Sequence, residues 1–400
     1  MEALTNVLVV YETREPANIE TVRVIRKLES NGMLNCRSIE ATKVSCFDLR
    51  WADTMVFVRS TSSIEVDLIK IAHSMNKFNV LVLDDDFLSL TTTYGADGEG
   101  YQEIHKKCLL EVLKHTDCLL AVNKLLAAKY SQIGIIKKTV LTNTIIEKSE
   151  LYHTRQTGEN RDKIRIALYV NDGTSCMFEK YIKPVVPLLY EKYGDRLSYY
   201  FFALHPSLDD IKYPIDVHYV PHLSYSEFKR YLGTEVFDIG LAPLDTEGFS
   251  NFKYFNKYIE YTLAGIPAIF SECPLYTQVV KDGENGLICN NTVEGWYSAL
   301  CKLIDDPLLR LNIVNESQKI IYEEFNANIV LSKLVTDLPE YTQYKAPAVK
   351  ISYLSIKLRI AYFRYWLYRS RGWFTTVSVY LRKGNFKGLI NRFKKRILNK

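Results

Sequence analysis

The sequence predicts an α/β protein made of two Rossmann-like domains and a basic helical extension. Three observations lead there. Over the first 150 residues, short apolar runs alternate with helix-periodic stretches, the pattern of a parallel sheet covered on both faces. The polar stretch Glu147–Asp162 (EKSELYHTRQTGENRD) interrupts the pattern, and a second alternation starts after it. From Lys345 to Lys400 there are 15 Lys and Arg and no Asp or Glu, so the last region has a chemistry of its own. The boundaries read as 1–150, 163–330 and 345–400. Two such domains in tandem are expected to face each other across a cleft.

In the first domain the apolar runs Val7–Tyr11, Thr54–Val58, Val80–Leu83 and Cys118–Val122 read as strands. Helical periodicity fills the gaps at Ile19–Glu29, Ile64–Met75 and Tyr101–His115. The second domain begins with a strand at Ile164–Val170, then a helix over Met177–Tyr193 and strands at Leu197–Ala203, Asp216–Val220 and Phe237–Leu241. Helices at Val293–Ile304 and Leu308–Phe325 close it. In the extension, Phe386, Leu389, Ile390, Phe393 and Ile397 form an apolar stripe, with Lys387, Arg392, Lys394, Lys395 and Arg396 around it.

Composition narrows the function. The net charge is +5, but outside the extension 36 basic residues face 46 acidic ones. A mildly acidic body with a basic tail points to an anionic surface as the tail's partner. The eight cysteines form no CxxC pair and stand beside no histidine cluster, which argues against a zinc site or a disulfide framework and fits a reducing cytoplasm. The opening MEALTNVLVVYET has no basic flank or cleavage pattern of a signal peptide. No run of about 18 apolar residues is present, so no membrane-spanning helix is expected.

The densest signals lie in residues 253–288, KYFNKYIEYTLAGIPAIFSECPLYTQVVKDGENGLI. Lys253, Lys257 and Glu260 recur at i, i+4, i+7, one face of an expected helix that Gly265 and Pro267 end. On such a helix Lys253 and Glu260 would stand roughly 10 Å apart along the axis, about the span from a diphosphate to a ribose. Phosphates would meet the helix N-terminus and the lysines, and the glutamate would accept from sugar hydroxyls. A solvated face with Lys–Glu pairs is the other reading of the same spacing.

The segment Ile259-Glu260-Tyr261-Thr262-Leu263-Ala264-Gly265-Ile266-Pro267, followed by Asp282-Gly283-Glu284-Asn285-Gly286, resembles the donor-binding half of retaining GT-B glycosyltransferases of the family-four type. The two preceding lysines resemble those of the subset that builds bacterial surface polysaccharides. The resemblance runs from about Ile164 to Phe325. It implies that Glu260 holds the donor ribose and that Lys253 and Lys257 act as catalytic cations on the leaving diphosphate. Gly173 and Thr174, in the loop Asn171–Thr174, stand where family loops approach the donor phosphates, although an ordinary β–α turn reads the same way. His222 stands where relatives contact the base. Many members carry a second glutamate eight positions before the first, and here Phe252 occupies that place.

In the first domain Arg14 follows the first strand, Arg59 the strand ending at Val58, and Asp84-Asp85-Asp86 the strand ending at Leu83. Arg14, Arg59, Asp84 and Asp86 are the acceptor-side candidates. Asp84-x-Asp86 also matches the metal-binding DxD of the other large glycosyltransferase fold. That reading is set aside because lysines already neutralise the donor phosphates, so no metal and no cofactor are expected. A capped, solvated loop is the plain alternative for the three aspartates.

The resemblance implies transfer of a sugar from a nucleotide-sugar donor to a hydroxyl of a glycan or lipid-linked glycan, with retention, in cell-surface polysaccharide synthesis. The expected setting is cytoplasmic, peripheral at the inner face of the plasma membrane, with residues 345–400 on anionic lipid. Nucleic acid is the least expected partner of this tail, and packing across the two domains is the remaining reading. A non-catalytic partner subunit, or a sugar-nucleotide epimerase or phosphorylase on the same fold, are the alternatives.

Overall fold

The computed structural model describes residues 4–12, 16–89, 99–152, 163–246, 248–348 and 353–382. The chain divides into two compact units. One comprises the described residues of Met1–Thr142 and Leu334–Lys400, the other is Asn143–Lys333.

The first unit holds the strands β1 (Thr5–Tyr11), β2 (Leu34–Glu40), β3 (Thr54–Val58), β4 (Phe78–Leu83), β5 (Cys118–Ala121) and β6 (Lys138–Leu141). They form one parallel sheet in the order β2-β1-β3-β4-β5-β6. The second unit holds β7 (Ile164–Val170), β8 (Leu197–Ala203), β9 (Asp216–Val220), β10 (Ile239–Ala242), β11 (Ala268–Ser271) and β12 (Leu287–Cys289). Its order is β12-β11-β10-β7-β8-β9, again all parallel. The strand order reverses between β7 and β10, a topological switch point. Among the helices are α1 (Cys46–Trp51), α2 (Ser63–Ser74), α3 (Glu99–Lys114), α4 (Tyr225–Thr234), α5 (Asn256–Ala264) and α6 (Leu354–Arg382).

Central strands are buried along their whole length, β3 and β5 among them, because helices cover both sheet faces. In the second unit the core gathers Phe178, Phe201, Leu303 and the fully buried Trp296 around β7 and β8. The helix expected over Met177–Tyr193 is broken. Phe178–Ile182 is a π-helical turn, with Lys183 N donating to Phe178 O, and Pro184 precedes a new helix at Val185. Proline lacks the N–H that would continue the ladder.

The described part of the C-terminal extension belongs to the first unit. Lys345 Nζ donates to Asp53 Oδ2 at 3.0 Å, and Ala346 N to Asp53 Oδ1 at 3.1 Å. The described helix of the extension, α6, buries Leu354, Leu358 and Ala361 and packs against α2 and α1. Tyr362 donates to the Val44 carbonyl, Tyr365 to Glu12, and Arg364 pairs with Asp67. The stripe expected at residues 386–397 lies outside the described residues. Among the described residues no helix is long and apolar enough to cross a membrane.

Candidate functional site

Helix α5 runs beside the switch point and is fixed there by its own sequence. Tyr261 is buried, and its hydroxyl donates to Leu241 O of β10 at 3.0 Å while lying 3.4 Å from Ala167 O of β7. Gly240 permits this approach, since a Cβ there would lie 3.0 Å from the Tyr261 ring. The helix ends at Gly265, in the left-handed region at φ 70°, whose N–H reaches Thr262 O. Only glycine takes that conformation without strain. The chain then passes through Pro267 into β11.

The face toward the carboxyl end of β7 carries Lys257 and Glu260. Lys257 Nζ donates to Glu260 Oε2 at 2.6 Å. Glu260 is 7% exposed, so its charge needs a partner, and Lys257 is that partner. The ammonium also lies 4.1 Å from the ring of Tyr169 and 4.7 Å from that of Phe228. Tyr169 is the penultimate residue of β7, and Phe228 comes from α4. The two rings meet edge to face with centroids 5.2 Å apart. Burial, and then the Glu260 charge, push the Tyr169 hydroxyl above its ordinary pKa. A lysine in the first turn of a helix opposes the helix dipole. The two ring faces and the carboxylate offset that cost.

Lys253 corrects the expectation of one continuous face. The helix begins at Asn256, so Lys253 stands outside it, after a short 3-10 turn, Gly248–Phe252. The backbone leaves the helical region at Phe255, the residue before the helix, with φ −77° and ψ 48°. Tyr254 accepts from Thr144 N through its hydroxyl, while Phe255 is buried against Tyr258 and Phe325. The Lys253 ammonium rests 4.6 Å from the Phe249 ring.

The turn Asp282–Gly286 supports the other side of α5. Asn285 is buried, donates to Tyr258 Oη and Val279 O, both at 2.9 Å, and accepts from Lys281 N at 2.7 Å. Tyr258 and Glu260 are about 200° apart around the helix. The turn therefore braces α5 from behind. Gly286 is required by space, because a Cβ would fall 2.8 Å from Val280 Cγ1 and 3.0 Å from Phe270.

Asn171–Thr174 is a reciprocally capped β–α turn. Thr174 N donates to Asn171 Oδ1 at 3.0 Å, and Asn171 N to Thr174 Oγ1 at 2.9 Å. The amide and hydroxyl of Thr174 are thus engaged inside the turn, and Gly173 lies in the first turn of the helix that follows. His222 is exposed, in the loop between β9 and α4.

In the first unit Arg59 and the aspartates find each other. Arg59 forms a two-pronged ion pair with Asp84, its Nε 2.5 Å from Oδ1, and a longer contact of 3.4 Å with Asp85. Asp86 is fully buried and pairs with Lys129, which also donates to Ser89 Oγ at 2.6 Å. Asp84 is buried too, so the expectation of a solvated loop is corrected. Buried carboxylates require counter-charges, and Arg59 and Lys129 supply them from the neighbouring strand end and from the helix Lys124–Ser131. Arg14 lies outside the described residues. Among the described residues no group of three or more His, Cys, Asp and Glu side chains is arranged to hold a metal ion.

Sequence reading missed Tyr169 and Phe228. Tyr169 had one signal, its place at the end of a strand just before the Asn171 turn. Phe228 had none, since an aromatic on an amphipathic helix reads as core.

No protein-family model matches the chain. No curated protein matches it either. Solved structures do. HepE from Anabaena, in complex with UDP and glucose, superposes with a TM-score of 0.57 at 10% identity, over 84% of this chain and 100% of that one. WaaG, a glycosyltransferase involved in lipopolysaccharide biosynthesis, gives 0.56 at 10% identity, over 84% and 99%. A putative UDP-N-acetylglucosamine 2-epimerase from Listeria monocytogenes gives 0.54 at 11% identity, over 87% and 100%. At such identities the likeness is one of fold, and the fold of this chain, two parallel six-stranded α/β units with a C-terminal helical extension, is that of the GT-B proteins.

Proposed function

We propose that this protein is a glycosyltransferase. It takes a nucleotide-sugar in its second unit and transfers the sugar, with retention, to a hydroxyl of a glycan or lipid-linked glycan. The observation that carries this is the Lys257–Glu260 pair at the β7/β10 switch point. A cation at a helix start beside strand carboxyl ends suits a diphosphate, and a carboxylate one turn further suits ribose hydroxyls. The UDP bound to HepE agrees with this.

In this scheme the bond from the anomeric carbon to the diphosphate oxygen breaks on the face where the acceptor oxygen attaches. The acceptor proton passes to the departing diphosphate. Lys257 and Lys253 stabilise the charge that grows there. Gly173, Thr174 and His222 border the donor, and Arg59, Asp84 and Asp86 the acceptor side. The nucleotide-sugar is a substrate, and the scheme uses no metal or cofactor. The work of WaaG in lipopolysaccharide biosynthesis supports a role in bacterial surface polysaccharide. In that role the protein would be cytoplasmic and peripheral at the inner face of the plasma membrane, on anionic lipid.

A panel of nucleotide-sugars with detection of released nucleoside diphosphate tests the proposal and names the donor. Release dependent on an acceptor is the expected result, and no release with any donor would sink it. The Listeria structure favours one second reading, sugar-nucleotide epimerisation. Conversion of donor alone, with no acceptor and no free diphosphate, would establish that instead. The absence of a carboxylate at Phe252 keeps a non-catalytic partner subunit as the outcome if the whole panel fails.

A further inference from the structure

Helix α6 has two apolar faces. Leu354, Leu358 and Ala361 point into the first unit, and Tyr365 lies on the same side. At about 100° per residue, Ile356, Ile360, Phe363 and Leu367 fall on the opposite side. All four are exposed, Phe363 at 60%, and Trp366 beside them at 62%. Phe363 and Trp366 stack with centroids 6.1 Å apart. Arg359 flanks this stripe on one side, Lys357 and Arg364 on the other, all exposed. The helix has no acidic residue. Arg364 faces Asp67, whereas Lys357 and Arg359 make no ion pair among the described residues. Phe47, on the helix α1 that α6 packs against, is 78% exposed.

We propose that the outward face of α6, together with the exposed Phe47 of the adjoining α1, is the surface by which the first unit seats on an anionic lipid bilayer. The stripe would enter the headgroup boundary, and Lys357 and Arg359 on its two sides would meet lipid phosphates. An apolar stripe bordered by cations on both sides matches that boundary. A nucleic acid would use the cations and leave Ile356, Ile360 and Leu367 without a role. The same helix thus packs on the protein with one face and on lipid with the other. The inference rests on the membrane-facing part of the function proposed above and is independent of the transfer chemistry.

The test is co-sedimentation of the full chain with vesicles of phosphatidylcholine, with or without phosphatidylglycerol. Wild type is expected to sediment with the anionic vesicles and to be released by salt. Ile360→Gln with Phe363→Gln leaves residues 371–400 intact and is expected to lower vesicle partitioning at least about tenfold at unchanged Tm. Lys357→Glu with Arg359→Glu is expected to do the same and to flatten the salt dependence. Should the first pair lower Tm, Phe47→Gln, on a different helix, is read in its place. Wild-type partitioning by the apolar variants overturns the proposal. So does a wild type that binds a single-stranded oligonucleotide and ignores vesicles. Diphosphate release with a water-soluble acceptor, measured in parallel, separates failure of this surface from failure of the transferase reading.

Discussion

The Lys257 ammonium and the Glu260 carboxylate are hydrogen-bonded at 2.6 Å, three positions apart on α5, with the cation nearer the helix start. An arriving diphosphate would compete for that ammonium, while ribose hydroxyls would take its place on the carboxylate. Under the proposed function the pair would stand in for the ligand; in the structure described, each charge compensates the other.

Glu260→Ala is expected to cut acceptor-dependent diphosphate release by about 10²-fold or more. Each hydrogen bond to a charged acceptor contributes about 1.5–3 kcal/mol, and a ribose offers two hydroxyls. Calorimetric titration with the nucleoside diphosphate should show the loss in affinity. Unaltered turnover would remove the donor assignment.

Lys257→Ala leaves Glu260 buried without its counter-charge. Unfolding in urea should show a loss of about 1–3 kcal/mol, less than for a wholly buried pair because Lys257 is partly exposed. The double variant Lys257→Met with Glu260→Leu should regain most of that stability and stay inactive. A double variant no more stable than the single one would contradict the pairing argument.

Glu65, in the first turn of α2, makes stability depend on pH. It is fully buried and accepts from Ser60 Oγ and Ser62 Oγ, both at 2.9 Å, and from Ser62 N at 3.2 Å. Burial first, and the nearby Glu12 carboxylate second, push its pKa up to about 8 from 4.5. A raised folded-state value means that its contribution is fully present below about 4.5 and is lost as pH rises through about 8. Glu65→Gln imitates the neutral acid, its amide donating to Ser60 Oγ. The Tm of this variant relative to wild type should climb between pH 5 and pH 8. A constant difference would mean that Glu65 is ionised throughout.

Asp86→Asn and Asp84→Asn separate a structural from an acceptor-side role. Each weakens an internal ion pair, with Lys129 or Arg59, and should lower Tm. A change in acceptor KM at constant Tm would instead place the carboxylates against the acceptor.

Much of the fold was legible in the sequence because buried strands are almost wholly apolar, as in Met55–Val58 of β3 and Cys118–Ala121. The strands β2 (LNCRSIE) and β6 (KTVL) escaped notice. Both are sheet edges, half exposed, and their polar residues erase the apolar run. At the site, Lys257 and Glu260 were readable because three positions along a helix define a face. Lys253 misled because spacing does not reveal where a helix starts, and this one starts at Asn256, after the non-helical Phe255. The ion pairs of Asp84 and Asp86 reach across strands and helices, and such partners are set by topology, which a linear pattern does not display.

The chain builds most of the first unit, leaves it after Thr142, and returns only at Leu334. On the return Glu340 pairs with Lys138, Lys345 with Asp53, and Arg364 with Asp67. During synthesis, then, the second unit emerges whole before the far end of the chain that packs on the first, so the contacts of α6 with α1 and α2 are the last of that unit to form. A nonsense codon late in the message would spare the middle of this protein and damage its beginning.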